Sequence, residues 1–250
     1  MRSKGEGLTD VGRRRVSNED AFLLDDTLGL YVVADGMGGH AAGEIASQQT
    51  VETIHDNVAR DAKLLAPLAD NPSAEQVHAA VRLLERAVQA ATYMVFAIAE
   101  HDPDQQGMGT TVSALLLSGG FGITAQVGDS RVYLVRDGQA ARLTEDHTLV
   151  NWQIKQGIIT AEEAAYSPHK NVITRAVGSR DYVQVDTHCF ETHVGDRFLL
   201  CSDGLHGYLE EHEIPAIVEM GPDRSVRRFI ELANERGGRD NITAIVAEAY

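Results

Sequence analysis

Cysteine is scarce. Cys189 and Cys201 are the only two in 250 residues, too few for a disulfide framework and without the spacing of a zinc site. A reducing, cytoplasmic setting is the expectation. No apolar run is long enough to span a membrane. Met1-Arg2-Ser3-Lys4-Gly5-Glu6 leads into no hydrophobic stretch of the secretory kind. Basic residues are also in short supply: 22 Lys and Arg stand against 37 Asp and Glu, for a formal net charge of -15. That balance excludes a nonspecific nucleic-acid binder, which needs a basic stripe. An anionic substrate would have to be met by bound cations or by a well-placed arginine. With 43% hydrophobic residues, the chain can bury a sizeable core.

The chain has no internal repeat and no low-complexity tail. Strand-like runs open at Ala21–Leu24 and Leu30–Ala34. Helix is expected from Ala41 to about Arg60 and from Ala74 to Glu100, the latter with Val77, Val81, Leu84 and Val88 at helical spacing. Pro67, Asp70, Asn71 and Pro72 read as the loop between them, with Ser73 as N-cap. Four short β-rich runs follow: Thr110–Leu117, Phe121–Val127, Arg131–Val135 and Ala140–Leu143. Gly119-Gly120, Gly128-Asp129 and Asp137-Gly138 separate them, and such tight turns make antiparallel neighbours. Thr148 to Lys170 reads as a polar helical insertion on the sheet edge. Strands are expected again at Tyr182–Phe190, Arg197–Cys201 and Ile242–Glu248, and helices at Glu210–Met220 and Asp223–Arg236. Strands and helices do not alternate strictly, so the pattern is α+β with antiparallel sheets and helices packed outside.

The aspartates carry the chemistry. Asp35 ends the apolar run Tyr31–Ala34 and precedes Gly36; Asp203 ends Phe198–Ser202 and precedes Gly204. Asp129 follows Thr124–Gly128, and Asp240 stands just before the final strand. Four carboxylates thus sit at strand ends beside glycine or a tight turn, on rigid platforms. Gathered together they would repel one another unless a hard divalent cation neutralised them. An Asp-Gly pair is most often a plain hairpin turn, and Asp137-Gly138 reads that way. Asp35-Gly36-Met37-Gly38-Gly39-His40 lacks both nucleotide-loop fingerprints; it reads as a loop carrying a metal ligand and a histidine. Near the start, Arg13-Arg14-Arg15 offers guanidinium groups suited to phosphate.

Eight segments, in order, resemble the metal-dependent protein phosphatases of type 2C in their compact bacterial form. They are Thr9-Asp10-x-Gly12-x-x-Arg15-x-x-Asn18-Glu19-Asp20, Val33-Ala34-Asp35-Gly36-Met37-Gly38-Gly39-His40, Met108-Gly109-Thr110-Thr111 and Val127-Gly128-Asp129-Ser130-Arg131. The others are Leu143-Thr144-x-Asp146-His147-Thr148, Ile173-Thr174-Arg175-Ala176-Val177-Gly178, Leu200-Cys201-Ser202-Asp203-Gly204-Leu205 and Gly238-Arg239-Asp240-Asn241-Ile242-Thr243.

The resemblance implies an antiparallel β-sandwich flanked by helices on both faces, in four layers α-β-β-α. It implies one catalytic domain over residues 1–250, with a small helical flap at about 148–170. It implies two central Mg²⁺ or Mn²⁺ ions and a possible third. Asp35 would bridge the central pair, with the Gly36 carbonyl on one ion and Asp203 and Asp240 on the other. Glu19 and Asp20 would hold metal-bound waters, and Asp129 with Asp203 would form the third site. Arg15 would bind the substrate phosphate, and His40 would be the general acid for the leaving alkoxide. The implied reaction is attack of a metal-activated water on phosphoserine or phosphothreonine of a protein. The implied counterpart is a bacterial Ser/Thr kinase, and the implied state is a monomer. One departure stands out: relatives often carry His-Pro near the flap's end, where this chain has Ser167-Pro168. Two alternatives stay open from sequence, a non-catalytic phosphoprotein binder and a phosphohydrolase of small esters or nucleotides.

Overall fold

The structure is a computed structural model that describes residues 1–38, 42–69 and 72–250. The expected start of the first helix at Ala41, the loop residues Asp70 and Asn71, and His40 lie outside the described residues.

Apolar strands buried on both faces, flanked by less buried edge strands, build two antiparallel sheets. One is five-stranded: β1 (Ser3–Asp10), β11 (Ile242–Ala249), β10 (Arg197–Cys201), β7 (Arg131–Arg136) and β8 (Gln139–Arg142), in that spatial order. The other runs β2 (Asp20–Asp25), β3 (Leu30–Met37), β5 (Val112–Ser118), β6 (Phe121–Val127) and β9 (Asp186–Glu191), with the short β4 (Gly109–Thr110) paired to the end of β3. The side-chain period of two sorts residues between layers. Tyr31, Val33, Leu115 and Leu117 point between the sheets and meet Phe198, Leu200, Ile245 and Ala247. Their neighbours Leu30, Val32, Ala34 and Leu116 point outward onto α1 (Ala42–Arg60) and α2 (Ala74–His101), at Ile54, Leu84 and Val88. On the opposite outer face Leu199, Cys201, Ala244 and Val246 pack against Ile217, Phe229 and Leu232. Those three belong to α6 (Ile214–Val218) and α7 (Pro222–Glu235). Three apolar layers between four structural layers make the α-β-β-α sandwich, each buried aliphatic contributing about 1.5–3 kcal/mol.

Local signals behave as their chemistry dictates. The Ser73 hydroxyl accepts from Gln76 N–H at 3.3 Å while Gln76 Oε1 accepts from Ser73 N–H at 2.8 Å, a reciprocal cap on α2. Asp137 and Gly138 take positive φ values of 52° and 72° in the β7–β8 hairpin. Between β8 and β9 lie α3 (Leu149–Lys155) and α4 (Ala161–Ala165). Leu149 N–H donates to Val172 O at 2.8 Å, and Thr148 bridges Ile173, so the segment leaves and rejoins the body at one place.

Four expectations need correction. The expected strands open only at Ala21, but Ser3–Asp10 is already one. The run expected at Thr110–Leu117 breaks at Thr111, whose hydroxyl accepts from Asp35 N–H at 3.0 Å. The strand expected from Tyr182 starts only at Asp186, because the Val183 backbone bonds the Gln89 side chain of α2 instead of a neighbouring strand. The helix expected over Glu210–Met220 is a 3₁₀ turn at Glu211–Glu213 followed by α6, which Pro215 starts in its first turn. Among the described residues no helix is long and apolar enough to cross a membrane.

Candidate active site

The strand ends converge on one edge of the sandwich. Asp35 lies near the end of β3, directly opposite Asp20 on β2. Asp203 opens α5 (Asp203–His206) immediately beyond β10 and Ser202. Asp240 precedes β11, and Asp129 follows β6. A cavity of about 340 Å³ opens here, and Arg15, Glu19, Asp35, Gly36, Asp129, Asp203 and Asp240 all line it. Seven of the nine residues singled out in sequence therefore share one wall. Asp20 lies beneath that wall and is buried. His40 lies outside the described residues.

Backbone contacts fix the cluster. The Asp35 carbonyl accepts from Thr111 N–H and from Thr110 Oγ1, both at 2.9 Å. Gly36 N–H donates to Glu19 O at 3.1 Å. The glycines after the aspartates serve close packing of main chain on main chain. A Cβ at Gly36 would lie 2.1 Å from Gly43 O and 2.5 Å from Glu19 O; one at Gly204 would lie 1.9 Å from Asn241 O.

The electrostatics call for cations. Burial first, then the charges of Asp20, Asp203, Asp129 and Asp240, hold the Asp35 carboxyl well above the usual range. Burial, with Asp203 and Asp146 nearby, pushes Asp129 up to about 7. Asp20 also rises to about 7 through burial, although Thr243 Oγ1 at 2.6 Å and Ser202 Oγ at 2.8 Å donate to its Oδ2. Its Oδ1 is buried and has no hydrogen-bond partner among the described residues. One guanidinium answers these acids directly: Arg15 Nη2 lies 2.8 Å from Asp240 Oδ2. Among the described residues no three His, Cys, Asp or Glu side chains are already drawn together closely enough to hold a metal ion; the carboxylates surround a cavity instead. An all-oxygen donor set, an orphaned carboxylate oxygen and uncompensated repulsion fit hard divalent cations.

A larger cavity of about 640 Å³ lies elsewhere, against Lys4, Met220 and Tyr250. Of its acids, Asp223 pairs with Arg227 and Glu248 with Arg197, and none of the eight motifs reaches it.

The protein phosphatase 2C family model matches residues 12–247. This chain belongs to the protein phosphatase 2C family. The serine/threonine phosphatase stp of Listeria monocytogenes is 37% identical, over 96% of this chain and 93% of its own length. The structure of the S. agalactiae serine/threonine phosphatase superposes with a TM-score of 0.86 at 34% identity, covering 99% of this chain and all of its own. The catalytic domain of the serine/threonine phosphatase PstP, solved with two manganese ions, gives 0.83 at 35% identity and covers 99% of this chain and 98% of its own. The expected layered fold is that of these phosphatases.

Within this phosphatase-family frame the structure adds residues that sequence reasoning left without a role. Asn241 Oδ1 accepts from Glu19 N–H at 2.8 Å, and its Nδ2 donates to Ser17 O at 2.9 Å and Val11 O at 3.1 Å. One amide thus staples the arginine-bearing loop to β11. His206, on α5, reaches Asp129 O at 3.0 Å through Nε2. Burial, then Arg131, pushes His206 down to about 3, so the neutral ring donates this bond. His147 joins two motifs: its N–H donates to Gly128 O at 2.8 Å, its Nδ1 accepts from Gly128 N–H at 3.2 Å, and its carbonyl accepts from Thr174 N–H at 2.7 Å. Asn241 and His147 lie inside the quoted motifs and His206 lies one residue beyond one, but the roles of all three depend on contacts from distant segments.

Proposed function

We propose that this chain is a metal-dependent protein serine/threonine phosphatase, active on phosphoserine and phosphothreonine monoesters of proteins. The observation that carries this reading is the meeting of Asp35, Asp129, Asp203 and Asp240, from four separate segments, around one cavity. Asp35, the Gly36 carbonyl, Asp203 and Asp240 would hold two central Mg²⁺ or Mn²⁺ ions. Asp129 with Asp203 would hold a third, and Glu19 and Asp20 would bind through water. Bound there, such ions supply an activated water nucleophile and neutralise charge on the phosphoryl oxygens.

The chain's own residues do the rest. Arg15 is half-exposed at the cavity wall, so guanidinium N–H groups not bound to Asp240 can receive a phosphate. Thr110 and Thr111 hold the Asp35 backbone, and Asn241 holds the Glu19 backbone. These bonds preset the carboxylates before substrate arrives. The cysteines take no part: burial pushes Cys201 up to about 12 and raises Cys189, leaving both protonated. His40 as general acid rests on the family resemblance. Residues 1–250 would act as one catalytic unit with a flap at about 148–170, as a cytoplasmic monomer opposing a Ser/Thr kinase.

The test compares a phosphothreonine peptide, a nucleotide and p-nitrophenyl phosphate as substrates with Mn²⁺ or Mg²⁺. The peptide should give the highest kcat/KM, and EDTA should abolish its turnover. Preference for the nucleotide would favour a small-ester hydrolase. Binding without turnover would favour a non-catalytic phosphoprotein binder.

A further inference from the structure

A groove of about 570 Å³ leads away from the carboxylate cavity and shares Asp129, Asn171, Asp203 and Asp240 with it. Ala161 and Ala164 of α4, Tyr208, Lys170 and Arg239 also line it. The groove is therefore open to a chain that extends from a phosphate seated in the cavity.

Its charges sort into three groups. Asp146 is neutralised by Arg131, which donates to both its oxygens at 3.0 and 2.7 Å. The shared aspartates face the cavity and belong to the cation site. Lys170 and Arg239 remain. Both are exposed, and among the described residues neither has a carboxylate within 4.0 Å. One comes from the flap and the other from the loop before β11, so they reach the groove from different segments.

This arrangement runs against the rest of the molecule. A net charge of -15 repels acidic peptides at long range and attracts basic ones. Lys170 and Arg239, without an acidic partner among the described residues, oppose that bias locally in a groove that continues from the site. We propose that this groove receives the polypeptide flanking the phosphorylated residue and selects substrates carrying an acidic side chain there, either Asp or Glu or a second phosphoresidue. The inference rests on the phosphatase reading above and names its substrate class.

The test uses phosphothreonine peptides of one length, with the flanking residues Glu, Gln or Lys, and a fourth with a second phosphoresidue. kcat/KM is measured with Mn²⁺ at low salt. Two exposed ion pairs set an expected preference on the order of tenfold for the Glu peptide over the Gln peptide, shrinking as salt is raised. A still larger preference for the doubly phosphorylated peptide would identify phosphate as the better source of the charge, and equality would identify charge alone. Lys170→Glu and Arg239→Glu, made separately, should each compress the Glu-to-Gln ratio. The ratio cancels any general loss, which matters for Arg239, beside Asp240, and for Lys170, beside Asn171 of the cavity wall. A Lys peptide equal to or better than the Glu peptide, or a ratio unchanged in both variants, would overturn the proposal. Absence of turnover on every peptide would instead overturn the phosphatase reading, and the proposal with it.

Discussion

His147 and Asp186 stand 3.0 Å apart, imidazole Nε2 to carboxylate Oδ2. Arg175 Nη1 holds the other oxygen of Asp186 at 2.7 Å. The His147 ring is almost fully buried, and its Nδ1 accepts from Gly128 N–H, so Nε2 carries the proton given to Asp186. Through these bonds the turn bearing Asp129 is tied to the strand that closes the flap. His147→Ala should leave Gly128 N–H and Asp186 short of partners and cost about 1–3 kcal/mol. The single tryptophan, Trp152, lies half-exposed on α3 within the flap. Its emission should shift in the variant, and urea unfolding should give the stability loss. Unchanged emission and stability would mean that the flap does not depend on His147.

Burial first, then Arg175, lowers the His147 pKa below its ordinary value, against the pull of Asp186. The sign follows from linkage. Above the unfolded value of about 6.5 both states are neutral; below it the unfolded chain takes up a proton that the fold resists. His147 should therefore contribute a loss of stability as pH falls from about 6.5. His147→Gln should flatten that part of the profile.

Metal-free protein should show the opposite trend from its acids. Asp20 and Asp129 are held at about 7, whereas an unfolded chain ionises them near 4. Stability should fall as pH rises from about 4 to about 7, because folding then opposes ionisation. Mn²⁺ should reduce this slope by pairing with the carboxylates. Thermal unfolding across that range, with EDTA and with Mn²⁺, measures it; identical slopes would contradict the cation assignment.

Gly204→Ala places a Cβ on the Asn241 carbonyl. The backbone there must move, at a cost of about 1–3 kcal/mol or more, and Asp203 and Asp240 move with it. Stability and Mn²⁺ affinity should fall together. Retention of both would show that this contact relaxes freely.

Arg15→Ala removes the guanidinium paired with Asp240. KM for a phosphopeptide should rise by roughly tenfold, the scale of one charge-assisted bond, with a smaller change in kcat. An unchanged KM would assign phosphate binding to another group.

Much of this was legible in sequence because the signals were local. Leu30–Ala34 reads as a buried run, since both faces of β3 are covered, and the aspartates at strand ends mark the cavity. Ser3–Asp10 was illegible for a physical reason. Its Gly5 and Gly7 weaken the strand signal, yet a Cβ at either would lie 2.5 Å from the ring of Tyr31 or Phe22. The glycines are there for rings packed from the other sheet, and no local pattern reveals that. Asn241, His147 and His206 were hidden likewise, since each acts on backbone far away in the chain. Asp20 was read as holding a metal-bound water; its place beneath the cavity wall, with Oδ2 on Ser202 and Thr243, is a tertiary fact that no local pattern reveals.

The central claim is that the carboxylates around Asp35 hold the cations that drive phosphate release. Asp35→Asn tests it most directly, by Mn²⁺ titration calorimetry and phosphothreonine-peptide hydrolysis on the same folded sample. The expected result is weakened Mn²⁺ binding and turnover reduced by a hundredfold or more, on the order of 3 kcal/mol in the barrier. Wild-type Mn²⁺ binding and turnover in a folded Asp35→Asn protein would contradict it.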